Sequence, residues 1–148
     1  MDKSLMILFV CTGNTCRSSM AEALAKKRLK HLAPRGLKME VISAGTNAFA
    51  GCPASMQAIR VLKDMGIDLS GHQARQVTRE LIDKADYIFT MTKEQMHYVL
   101  SFSPEAAGKT ISLDIPDPFG GSLDIYRRCA KDLEIAVEKI VTDILKKF

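Results

Sequence analysis

The chain of 148 residues is 47% hydrophobic and 26% charged, a balance that excludes intrinsic disorder and gives enough length to bury the core of one domain. Its net charge is +4, but aromatic residues are only 6% and Trp is absent, which argues against a stacking surface for single-stranded nucleic acid. The short apolar run from 5 to 10 passes straight into Thr12-Gly13-Asn14 with no small-residue cleavage site, so neither an export signal nor a membrane span is expected, and the cytoplasm is the expected compartment.

In chain order, Leu5 to Val10 reads as a buried strand, because a continuous apolar run suits a strand covered on both faces. From Ser18 to about Leu32, Ala21, Leu24, Ala25, Leu29 and Leu32 recur at helical spacing opposite Lys and Arg, and Pro34 and Gly36 end the pattern. Met39 to Ile42 reads as a second strand, and Ala54 to Met65 as a helix with Ile59 and Leu62 inward and Gly66 as its stop. A polar loop follows, then a short helix capped by Thr78, then a third strand from Asp86 to Met91. Thr92 and Gln95 form a capping box for the next helix, which Pro104 limits. Thr110 to Leu113 is a weak fourth strand. After the Pro- and Gly-rich loop 114–121, a long helix runs from Ser122 to Lys146 with Ile125, Leu133, Val137, Ile140, Val141 and Ile144 on one stripe.

This alternation predicts a single α/β domain over residues 1–148, with a doubly wound four-stranded parallel sheet in the order 2-1-3-4 and helices on both faces. In such a sheet ligands bind at the carboxyl ends of strands near the reversal of strand order, where the residues after the first strand emerge.

Those residues are Cys11-Thr12-Gly13-Asn14-Thr15-Cys16-Arg17-Ser18. A loop between a strand and a helix can turn the backbone N–H groups of residues 12 to 17 onto one oxyanion. The helix dipole and the Arg17 guanidinium add positive potential where Cys11 sits, and both favour a thiolate, the attacking form of cysteine. The planar fork of Arg17 suits two oxygens of a phosphoryl group. An attack that expels a leaving group also needs an acid. Asp117, in Asp117-Pro118-Phe119-Gly120-Gly121, is the preferred candidate and Asp114 the other. The cysteines at 11, 16, 52 and 129 form no C-x-x-C pair and the three histidines lack zinc-ligand spacing, so no metal or other cofactor is expected and Cys52 and Cys129 read as packing residues.

The loop from Cys11 to Ser18, with Asp117-Pro118-Phe119 late in the chain, resembles the low-molecular-weight protein tyrosine phosphatases over essentially the whole length. The resemblance implies a metal-free mechanism through a phosphocysteine, with Cys11 as nucleophile, Arg17 and the loop amides on the phosphoryl oxygens, and Asp117 as acid and then base. It implies phosphorylated proteins as partners, inorganic phosphate as product and competing ligand, and a monomer. Ser18 would donate to the Cys11 sulfur or serve as a plain helix N-cap. Asn14, Ser43 and His72 would hold the loop through a buried polar network. Cys16 matches a neighbouring thiol that closes a reversible disulfide with Cys11. Ser19 departs from the family's usual proline, a loss of preorganisation at a helix start.

Within the family the chain looks most like the bacterial protein arginine phosphatases, because Thr15 stands where tyrosine phosphatases usually carry an aliphatic residue. A hydroxyl there meets a polar guanidinium-like group, whereas a larger aliphatic side chain crowds it and favours an aryl ring. Phe119 followed by two glycines also leaves less ring surface than two adjacent aromatics. Two other readings use the same fold. An electron carrier is suggested by Thr12-Gly13-Asn14-Thr15, which also resembles the flavodoxin phosphate loop, but the chain is basic and poor in rings. Arsenate reduction requires a resolving cysteine pair, and residues 75 to 105 contain no cysteine.

Overall fold

In a computed structural model, which describes residues 3–148, the elements are strands β1 (Lys3–Cys11), β2 (Leu37–Gly45), β3 (Tyr87–Thr90) and β4 (Thr110–Ser112). The helices are α1 (Arg17–Leu32), α2 (Met56–Asp64), α3 (Arg79–Lys84), α4 (Lys93–Phe102) and α5 (Leu123–Leu145), with a 3₁₀ turn over Pro104–Lys109. The four strands form one parallel sheet in the order β2-β1-β3-β4. Among the described residues no helix is long and apolar enough to cross a membrane.

β1 explains the two-layered build. Every residue from Met6 to Cys11 is buried, and alternate side chains enter different cores. Ile7, Phe9 and Cys11 pack with Met20 and Leu24 of α1, Leu62 of α2 and Leu133 and Val137 of α5. Met6, Leu8 and Val10 pack with Ile82 of α3, Val99 of α4 and Ala106 of the 3₁₀ turn. A central strand with polar residues on one face could not serve both layers.

The strands reach further than hydropathy suggests. β2 starts at Leu37 and ends at Gly45, beyond the apolar stretch, because its backbone pairs with β1 along all nine positions from Lys3↔Leu37 to Cys11↔Gly45. Gly66 stops α2 with φ +79°. Two helix assignments need correction. Ile125 is 51% exposed and lies off the α5 stripe, since it folds back over Gly121, where an added Cβ would meet its Cγ2 at 2.9 Å. Leu32, the last residue of α1, is also exposed, whereas Ile59 is half-buried and packs inward against the core as expected.

Gly45 sits where β2 passes the loop from Cys11 to Arg17. A Cβ there would lie 2.4 Å from the Thr12 carbonyl oxygen and 3.1 Å from the Asn14 nitrogen, both backbone atoms of a loop that cannot retreat cheaply. We expect Gly45→Ala to lower folding stability by about 1–3 kcal/mol, as overpacking does. A denaturant melt with an unchanged midpoint would show that the two segments are not held this closely.

Candidate active site

The site forms where the carboxyl ends of β1 and β2 meet the start of α1. The helices α2, α3, α4 and α5 each have a side-chain N-cap, from Ser55, Thr78, Thr92 and Ser122. α1 begins at Arg17, and Cys16 in its N-cap position supplies no side-chain cap. The unfilled amide positions of that helix face the loop that precedes it, which leaves N–H groups for an anion. Ser18 lies inside α1, one residue past its start, so the N-cap reading of that serine does not hold.

The loop is shaped by Asn14, a non-glycine residue at φ 58° with no exposed surface. Its Oδ1 accepts from the Arg75 backbone N–H at 2.9 Å, which fixes the amide orientation, because that partner can only donate. Its Nδ2 then donates to Ser18 Oγ and to Ser43 Oγ, each at 2.9 Å. Ser43 Oγ donates its own hydrogen bond to Glu22 Oε1 at 2.7 Å. The carbonyl of Asn14 is met by His72 Nε2 at 2.6 Å. The structure therefore gathers Asn14, Ser18, Ser43 and His72 into one network.

Cys11 receives two contacts from it. Ser18 Oγ is 2.8 Å from Cys11 Sγ, and the Asn14 backbone N–H donates to the same sulfur at 3.2 Å. The thiol is buried at the floor of a cavity of about 240 Å³ whose wall includes Thr12, Gly13, Thr15, Arg17, Asp117 and Phe119. Arg17 is buried and held by Nη1 donating to the Ile115 carbonyl at 3.0 Å. Its Nη2 stands 3.6 Å from Asp117 Oδ2, and the other Asp117 oxygen accepts from the Phe119 N–H at 3.0 Å. Asp114 instead takes φ 55° and accepts from Ser112 Oγ, and it does not line the cavity. Phe119 is 81% exposed, standing at the mouth and not across it.

Cys16 also lines the cavity, and it and Cys11 are both free thiols. The Cys16 sulfur is 3.4 Å from Tyr126 Oη. Burial, reinforced by that sulfur contact, pushes the Tyr126 hydroxyl up to about 12, so it stays a donor throughout the working range. Burial likewise pushes the Cys129 thiol up to about 12, which suits a packing residue. Ser19 fills its position without strain by donating from Oγ to the Cys16 carbonyl at 2.9 Å. Among the described residues no group of three His, Cys, Asp or Glu is placed to hold a metal ion.

Sequence reasoning missed Glu22, Arg75, Gln95 and Tyr126. Gln95 donates from Nε2 to Thr12 Oγ1 at 3.1 Å, and the other three hold Ser43, Asn14 and Cys16. Of these only Gln95 had a sequence signal, its place in the capping box, and that signal concerned α4 alone.

Known proteins resemble this chain in sequence and in fold. Residues 6–148 match the family described as low molecular weight phosphotyrosine protein phosphatase. A protein-arginine-phosphatase of Geobacillus stearothermophilus is 41% identical over 144 residues, spanning 90% of this chain and 92% of that protein. The low molecular weight protein-tyrosine-phosphatase Etp of Escherichia coli K12 is 36% identical, spanning 90% of each. A solved structure of YwlE arginine phosphatase, a cysteine-to-serine mutant with a phosphorylated active-site serine, superposes with a TM-score of 0.87 at 34% identity, covering 95% of both chains. The chain belongs to the low molecular weight phosphotyrosine protein phosphatase family, whose named protein-arginine and protein-tyrosine phosphatases are hydrolases and with which cysteine-based catalysis is consistent.

Proposed function

We propose that the chain removes phosphate from phosphoarginine on proteins through a phosphocysteine. The observation that carries the arginine reading is Thr15 on the wall of the Cys11 cavity, in a chain whose relatives include named protein-arginine-phosphatases. A hydroxyl in that wall leaves room and a polar partner for the guanidino group. Phosphotyrosine is the second reading, favoured by the Phe119 ring at the cavity mouth and by tyrosine phosphatases among the relatives.

In the first step the Cys11 sulfur attacks phosphorus in line and the P–N bond breaks. Ser18 steadies the sulfur, while the loop N–H groups and the free side of the Arg17 fork take up the charge on the phosphoryl oxygens. Asp117 gives its proton to the departing nitrogen. The Asp117 carboxylate then takes a proton from water, that oxygen attacks the phosphorus, and the S–P bond breaks to release phosphate and restore the thiolate. The protein works as one domain, as a monomer in the cytoplasm, with inorganic phosphate as a competing ligand.

Cys11→Ser should abolish turnover, and acid-quenched wild type should carry one phosphate on the Cys11 peptide by mass spectrometry. Turnover by the serine variant, or labelling at another residue, would remove Cys11 from this role. Asp117→Asn should lower kcat by about 10²- to 10⁴-fold with a poor leaving group, whereas an unchanged rate would return the acid to Asp114.

The substrate assignment is checked by kcat/KM for matched phosphoarginine and phosphotyrosine peptides. Wild type should prefer phosphoarginine and Thr15→Ile should reverse the order; an unaltered preference would discard Thr15 as the selector.

A further inference from the structure

Beside the phosphate cavity runs a second groove of about 490 Å³, whose walls include Asn47, Glu94, Gln95 and Tyr98. It shares Thr12, Arg17 and Asp117 with the cavity, so a chain entering one continues into the other. Thr12 is exposed at this junction, while Gln95 behind it is buried.

The hydrogen bonds of Gln95 fix the direction of the Thr12 hydroxyl. Gln95 Oε1 accepts from the backbone N–H groups of Met91 and Thr92, at 2.9 and 3.0 Å. Both partners can only donate, so the amide nitrogen must face Thr12, and Nε2 lies 3.1 Å from Thr12 Oγ1. An amide nitrogen cannot accept. Thr12 Oγ1 is therefore the acceptor in that pair, and its own proton points elsewhere. Among the described residues the hydroxyl has no other protein partner, which leaves that proton to whatever occupies the junction. Glu94 lines this groove and not the cavity, and the Arg17 charge on the shared wall is met by the phosphoryl group, so the fitting acceptor here is neutral.

We propose that this groove is the subsite for the polypeptide flanking the phosphorylated residue, and that Gln95 sets the Thr12 hydroxyl as a donor to a main-chain carbonyl of that segment. Thr12 is then a specificity-determining residue and Gln95 a positioning residue. The proposal rests on the phosphatase reading of Cys11 and deepens it.

Gln95→Glu is the discriminating variant. Its carboxylate still accepts from both backbone N–H groups, but its second oxygen cannot donate, so the Thr12 hydroxyl must turn its proton back to it. Two probes are compared by kcat/KM: a phosphoarginine peptide, and para-nitrophenyl phosphate, which has no flanking chain. The loss with the peptide should exceed the loss with the small ester by about 3- to 10-fold, the worth of one hydrogen bond, and should appear mainly in KM. Thr12→Val should show the same selective loss, and the double variant should add nothing further. Equal losses with both probes would overturn the subsite, as would fully additive effects of the two substitutions. If Gln95→Glu fails to fold, shown by circular dichroism, the exposed Thr12→Val carries the comparison alone. Wild type inactive on both probes would instead overturn the phosphatase reading, and the subsite with it.

Discussion

The site depends on one residue kept in a conformation it would not choose alone. Asn14 stands in the left-handed region at φ 58°, which costs of the order of 1–3 kcal/mol for a residue with a Cβ. Against this stand the Arg75 N–H, the two serine hydroxyls and the His72 ring on its polar atoms. At about 0.5–1.5 kcal/mol each, these bonds outweigh the strain, and leaving any buried partner unsatisfied would cost more than the bond is worth. The balance lets the chain reverse within the Cys11–Arg17 loop. It also turns the Asn14 carbonyl toward His72 and its N–H toward the sulfur, so one dihedral choice serves both the polar network and the Cys11 thiol.

Arg17 and Asp117 show a different balance. Their separation is 3.6 Å and the carboxylate is about half exposed, so solvent screens the pair and it contributes little to folding, within about 0–1 kcal/mol. Arg17 is held instead by the Ile115 carbonyl, and that segment is tied through the Ile115 N–H to the Met91 carbonyl. A tight ion pair would have locked the guanidinium against the acid and opposed an incoming anion. The loose one leaves the outer side of the fork free and keeps the Asp117 carboxyl on the cavity wall.

Much of this was legible in the residues because it is local. The unbroken apolar run of β1, the helical spacing of Leu24 and Leu29, the capping box at Thr92 and the glycine after α2 each act within a few positions. So does the Cys11–Arg17 loop, whose place between β1 and α1 follows from its neighbours in the chain. Ile125 misled because periodicity cannot tell a stripe that meets the core from a turn that folds over its own loop at Gly121. The β2 ends were hidden because backbone pairing, not hydropathy, extends that strand. Glu22, Arg75 and Tyr126 were invisible since their partners lie 21, 61 and 110 positions away in the sequence. Such contacts carry no spacing signature, only the topology that brings strand ends together.

The topology also explains why the same device occurs on both sides of Cys11. Asn14 has its oxygen claimed by a backbone N–H, so its nitrogen donates to Ser18, whose hydroxyl also lies against the Cys11 sulfur. Gln95 has its oxygen claimed by two backbone N–H groups, so its nitrogen donates to Thr12. In each case a carboxamide pinned by the main chain removes a hydroxyl's freedom to choose between donating and accepting. Water could supply either polarity at an exposed hydroxyl, and a rotating hydroxyl would spend part of its time offering a lone pair to an anionic or carbonyl oxygen. Pinning the amide sets the polarity before substrate arrives, so no reorientation is needed as charge develops. The carboxylate analogue of either amide has the same shape and the opposite polarity, and that is why geometry alone would not reveal the function of Asn14 and Gln95.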